Sequence, residues 1–130
     1  MIILYSMKIT LMGETPSKKN SRINTRSGRS FPNQRYVRWH DRVISELHVL
    51  LLQKQIRKFE GVKVKMTVTF FHENLVRRDS DNQLSSILDT LVDAGILEDD
   101  NWKIIPRKII NDEYDKNNAR CEIILEEINV

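Results

Sequence analysis

The chain has 130 residues, 40% hydrophobic and 30% charged, with a net charge of +3. That length fits one domain with one core over residues 1–130. Its single cysteine, Cys121, excludes an intrachain disulfide and a cysteine zinc cluster.

The net charge hides an asymmetry. Residues 1–60 balance to +8 and residues 61–130 to −5. A basic half suits a polyanion partner and an acidic half suits a cation, although ordinary charged surface accounts for the same numbers.

In chain order, the first seven residues are apolar but too few to span a membrane. They lack the charged start and small-residue cleavage site of a secretory signal, so a cytoplasmic location with no membrane partner is expected. Lys8 to Met12 alternates as a short strand, stopped by Gly13 and Pro16. Residues 14–33 are polar, without periodicity, and hold Lys18, Lys19, Arg22, Arg26 and Arg29. This is a long loop, and long loops in compact domains are usually functional or disordered; its basic residues suit phosphate contacts.

Asn33 can cap a helix just after Pro32. Tyr36, Val43, Ile44, Leu47, Leu50 and Leu51 recur at helical spacing, and the helix is expected to run to about Lys58, with release at Gly61. Trp39 reads as core, and His40 and His48 as solvated or capping residues. Val62, Val64, Met66, Val68 and Phe70 alternate with polar residues as a half-buried strand.

That strand leads to Arg77-Arg78-Asp79-Ser80-Asp81-Asn82. Two carboxylates at i and i+2 on extended chain project to one side. A helix follows, capped by Ser80 or Asp81, with a core stripe of Leu84, Ile87, Leu88, Leu91 and Val92 and a stop at Gly95. Glu98-Asp99-Asp100 comes next in a turn. Carboxylates beside arginines are what a Mg²⁺ site for phosphodiester chemistry needs. On spacing alone, a helix cap at Asp81 and a solvated acidic turn explain the same residues. The helix is about 20 Å long, so Asp100 reaches Asp79 within one subunit only if residues 96–99 fold back along it.

Residues 103–111 form a strand that Pro106 assigns to an edge or a bulge. Residues 120–128 alternate, with Cys121 as a small core residue, and the polar stretch 111–118 suggests a hairpin between the two. The order strand, helix, strand, helix, strand, strand indicates an α+β fold, with two helices packed on a mostly antiparallel four-stranded sheet.

The run Arg77 to Asn82, the helix ending Leu-Asp-Thr-Leu-Val-Asp-Ala-Gly-Ile-Leu, and Glu-Asp-Asp-Asn-Trp-Lys-Ile together resemble the RusA family of Holliday-junction resolvases. The N-terminal strand, the Pro-Ser-Lys-Lys-Asn loop and the long helix resemble it too. The resemblance implies a homodimeric, Mg²⁺-dependent endonuclease that makes paired nicks across branched DNA, a four-way junction. It implies catalytic, metal-holding roles for Asp79, Asp81 and Asp100, with Asp99 beside them, and a supporting role for Asp89. Lys18, Lys19, Arg22, Arg26, Arg77, Arg78 and Lys103 are the expected DNA contacts. One departure stands out: Ser85 occupies the position of the family's catalytic lysine on the second helix. A flap or fork nuclease, or a catalytically weak junction-binding protein, are the competing readings.

Overall fold

A computed structural model describes residues 1–17, 22–24 and 30–129. Eight elements follow one another: β1 (Ile2–Met12), β2 (Arg22–Asn24), β3 (Ser30–Pro32), α1 (Gln34–Leu52), β4 (Lys63–His72), α2 (Ser80–Asp93), β5 (Arg107–Tyr114) and β6 (Arg120–Asn129). The main sheet has the order β1-β6-β4-β5. β6 pairs antiparallel with both β1 and β4, and β5 pairs parallel with β4. The fold is therefore α+β with a mixed, mostly antiparallel four-stranded sheet.

Period-2 alternation builds the core. Met7, Ile9 and Leu11 of β1, Val64, Met66, Val68 and Phe70 of β4, and Cys121, Ile123 and Leu125 of β6 are buried. Tyr36, Trp39, Val43 and Leu47 of α1 and Leu84, Ile87, Leu88 and Leu91 of α2 complete the same cluster. Burial drives the Cys121 thiol pKa up, as expected of a core residue. The polar positions between carry pairs such as Lys8–Glu122.

Four expectations change. β1 is longer than the alternating stretch suggested, because pairing with β6 continues to Ile2↔Asn129 past a register shift between Ile3 and Tyr5. Residues 14–33 are not wholly irregular, since β2 and β3 form a small antiparallel ladder within them. α1 ends at Leu52 rather than near Lys58. Lys54 adopts φ 57°, and the chain turns back so that Ile56 and Phe59 are buried.

The fourth change matters most for the site. β5 and β6 do not form a hairpin with each other. Residues after α2 return to the start of β4, where the Val64 N–H donates to the Ile104 carbonyl at 2.8 Å. β5 then runs alongside β4 in parallel, with a helix as the crossover that parallel pairing requires. The next turn crosses the end of β4, where the Asp115 N–H donates to the His72 carbonyl at 2.8 Å, and β6 enters on the other side. In such a β-α-β unit the helix N-terminus lies by the carboxyl ends of its strands, the usual place for a binding crevice. Among the described residues no helix is long and apolar enough to cross a membrane.

Candidate active site

The N-terminus of α2 carries the acidic pair. Asp79, not Ser80 or Asp81, is the N-cap: its backbone is extended at φ −101°, ψ 102°, and its Oδ1 accepts from the Asp81 N–H at 3.1 Å. Asn82 Nδ2 donates to the other oxygen, Oδ2, at 3.2 Å, which fixes the carboxylate plane. Asp81 lies in the first turn, where the helix dipole favours negative charge. Arg77, Arg78, Asp79, Ser80 and Asp81 line one open depression of about 540 Å³.

Behind this pair lies a polar hub that the sequence did not announce. Glu14, on the segment after β1, has a side chain only 10% exposed. It accepts from His72 Nδ1 at 3.0 Å and from Gln83 Nε2 at 3.0 Å, and pairs with Arg78 at 3.3 Å. His72 Nε2 meets Asp112 Oδ1 at 2.8 Å, and the Ser80 hydroxyl donates to Asp112 Oδ2 at 2.6 Å. Both ring nitrogens of His72 thus face carboxylate oxygens, which fixes the plane of the ring. The chain Glu14–His72–Asp112–Ser80 ties the ends of β1, β4 and β5 to the residue between Asp79 and Asp81. Two faint signals precede it: an acid directly after Gly13, and Asp112 two positions past Ile110 on the core-facing side of β5.

Removing the imidazole takes one of three partners from the nearly buried Glu14 carboxylate and leaves Gln83 and Arg78. His72→Ala is expected to lower stability by about 1.5–3 kcal/mol, the usual worth of a hydrogen bond to a charged group. Urea unfolding measures this, and an unchanged midpoint and slope would show that the hub does not brace the fold.

Arg78 and Arg77 are not equivalent. The Arg78 guanidinium donates to the carbonyls of Asn74 and Val76 and to Asn74 Oδ1, besides pairing with Glu14. Arg77 is exposed and makes no hydrogen bond or ion pair among the described residues. Ser85 lies one turn past Asp81 on the same flank, and its hydroxyl donates to the Asp81 carbonyl at 3.2 Å.

The second acidic group lies elsewhere. The N–H groups of Ile96 and Leu97 donate to the Leu91 carbonyl, at the far end of α2. Glu98 accepts from the Gly61 N–H, and the Asn101 carbonyl accepts from the N–H groups of Ile104 and Ile105, all near the start of β4. Residues 96–99 do not fold back along the helix, so Asp99 and Asp100 sit about one helix length from Asp79. Asp99 accepts from the Asp100 N–H at 2.7 Å and from Asn101 Nδ2 at 3.2 Å, and these bonds hold its carboxyl below the usual carboxylate range. Exposed Lys103 belongs to the same turn. Among the described residues no three His, Cys, Asp or Glu side chains converge on a metal-sized point.

Asp89, on the flank facing α1, lies near Tyr36; burial, with Asp89 and Asp93 adding to it, pushes the Tyr36 phenol up to about 12. His40 Nε2 meets Asp93 at 2.7 Å, a second link between the helices. Lys18, Lys19 and Arg26 lie outside the described residues, and Arg22 lies in β2.

The family model described as Endodeoxyribonuclease RusA matches residues 13–126. The crossover junction endodeoxyribonuclease RusA of Aquifex aeolicus (strain VF5) is 30% identical over 88 residues, which cover 65% of this chain and 64% of that protein. The match thus spans a little under two thirds of the relative's length. The family match runs from the end of β1 into β6 and takes in the acidic pair, the α2 stripe and the acidic turn, and on it the chain belongs to the endodeoxyribonuclease RusA family.

Proposed function

We propose that this protein is a Mg²⁺-dependent endonuclease that resolves four-way DNA junctions by paired nicks. The observation that carries the proposal is the acidic pair Asp79–Asp81 at the N-terminus of α2, with exposed Arg77 on the rim of the same depression. Mg²⁺ is commonly held by one or two carboxylates, with water and substrate phosphate completing its shell, and two carboxylates in an open depression fit that demand. When bound, the ion supplies a more acidic water and neutralises charge on the leaving oxygen. Asp79, set by its cap bond and by Asn82, and Asp81, one helical step on, would hold it. Arg77 would take a neighbouring phosphate, while Arg78 keeps the preceding loop in place. Lys18, Lys19, Arg22 and Arg26 would add sequence-independent phosphate contacts.

Asp100 enters this reading through a second subunit. Asp100 lies about one helix length from Asp79 within the chain, so it joins Asp79 and Asp81 only if a partner copy supplies it. A homodimer also suits a substrate with approximate two-fold symmetry and two strands to nick. Asp99 would orient that turn, and Lys103 beside it would bring the cation that Ser85 lacks.

The test is a cleavage panel of four-way junction, fork, flap and linear duplex, run in Mg²⁺ and in Ca²⁺. Paired nicks in the junction with Mg²⁺ are expected. Ca²⁺ is expected to support binding with little cleavage, because it tolerates looser geometry and activates water less. Preference for forks or flaps would replace the junction with another branched substrate. Binding without any metal-dependent nicking would make the protein a junction binder whose site is inactive.

A further inference from the structure

The loop at 73–76, directly before the arginines, shows an unusual combination of apolar exposure and rigid backing. Leu75 is 85% exposed and Val76 is 66% exposed. The loop behind them is nevertheless pinned. Asn74 Oδ1 accepts from the Val76 N–H at 3.1 Å and from Arg78 at 2.9 Å. Arg78 also holds the Val76 carbonyl at 3.1 Å and is itself fixed by the nearly buried Glu14. Two aliphatic side chains are thus presented to water on a stapled backbone. Across from them, the end of β5 contributes Asp112, Glu113 and the half-exposed Tyr114, and the two walls bound a depression of about 330 Å³.

The chemistry of these walls selects among the parts of a nucleic acid. Asp112 and Glu113 repel phosphate, and Leu75 and Val76 offer it nothing. Apolar side chains instead enter base stacks as wedges, and they do so at least cost where stacking is already broken. Leu75 is four residues from Asp79, so the tip lies within ~14 Å of the acidic pair, roughly four nucleotide steps along a strand. Arg77 stands between the tip and the pair and can hold the intervening backbone.

We propose that Leu75 and Val76 form a wedge that enters the base stack at the branch point of the DNA, and that this wedge selects branched over linear duplex. The inference rests on the branched-DNA reading above and adds to it the residues that recognise the branch.

The test uses wild type and the double variant Leu75→Ser/Val76→Ser, with Ca²⁺ to permit binding without cleavage. Both side chains are exposed, so the variant is expected to melt like wild type. A four-way junction carries 2-aminopurine at the branch point, and a linear duplex carries it at the matching position. Wild type is expected to raise the fluorescence of the junction several-fold and to leave the duplex unchanged. The variant is expected to leave the junction at its free level and to bind it about tenfold more weakly, with duplex binding unaltered. The fluorescence decides: a variant that unstacks the branch as wild type does would overturn the wedge. If wild type binds and nicks junctions with no fluorescence change, the wedge alone fails. If wild type does not bind junctions at all, the functional reading fails and the wedge with it.

Discussion

Asp79→Asn and Asp81→Asn are each expected to abolish cleavage of a four-way junction in Mg²⁺ while leaving the fold and junction binding intact. Asparagine is chosen for a physical reason. Asp79 caps α2, and Asn caps a helix about as well as Asp does, so the Oδ1 bond to the Asp81 N–H survives the change. What is lost is a unit of negative charge where a divalent cation is expected to sit. Charge stabilisation by a bound metal is worth several kcal/mol at the transition state. Each ~1.4 kcal/mol is tenfold in rate, so a loss of ~10²–10⁴ in single-turnover cleavage is expected. Removing a carboxylate also removes repulsion of phosphate, so affinity measured by mobility shift should hold or tighten. Near-normal nicking by either variant would show that its carboxylate is not a metal ligand. Asp79→Ala makes a poorer test, because it removes the cap as well, at about 1 kcal/mol of helix stability.

The second large effect concerns how Asp100 takes part. Asp81→Asn and Asp100→Asn, each as a homodimer, are expected to be inactive. Co-expressed, they are expected to regain cleavage. If Asp100 is supplied by the partner subunit, a mixed dimer has one site with both defects and one with none. That intact site can nick a single strand, so a supercoiled cruciform plasmid should yield nicked circles in place of the linear product of paired cuts. If Asp100 acts within its own chain, every site in the mixed dimer carries one defect and the mixture stays inactive. The motivating observation is the direction of residues 96–105. They run from the C-terminal end of α2 to the start of β4, away from Asp79. A silent mixture whose wild-type control is active would reject the shared site.

What the sequence determined by itself is what short-range physics controls. Alternation in β4 and β6 and the apolar stripe of α2 set the buried faces, because a side chain's direction in a strand or helix depends only on its neighbours. The acidic pair, its position before α2 and the cap at Asn33 were legible for the same reason. The cap on α2 was legible only to within a residue, since Asp79, Ser80 and Asp81 all have a capping side chain and the backbone dihedral decides among them. The family was legible because its motif is a run of spaced residues.

Tertiary structure alone decided three things. A polar turn at 115–119 signals a reversal but not a partner, and β5 pairs with β4 rather than β6 because the chain has returned to the start of β4 before the strand begins. The hub of Glu14, His72 and Asp112 joins residues 40 and 58 positions apart, and no local pattern encodes such a contact. Asp79 and Asp100 are 21 positions apart on a helix and a turn, and sequence leaves both a folded-back and an extended path open. The bonds of residues 96–105 to Leu91, Gly61 and Val64 choose the extended path, because burying Ile96, Leu97 and Ile105 against the core outweighs any local preference of an exposed acidic turn.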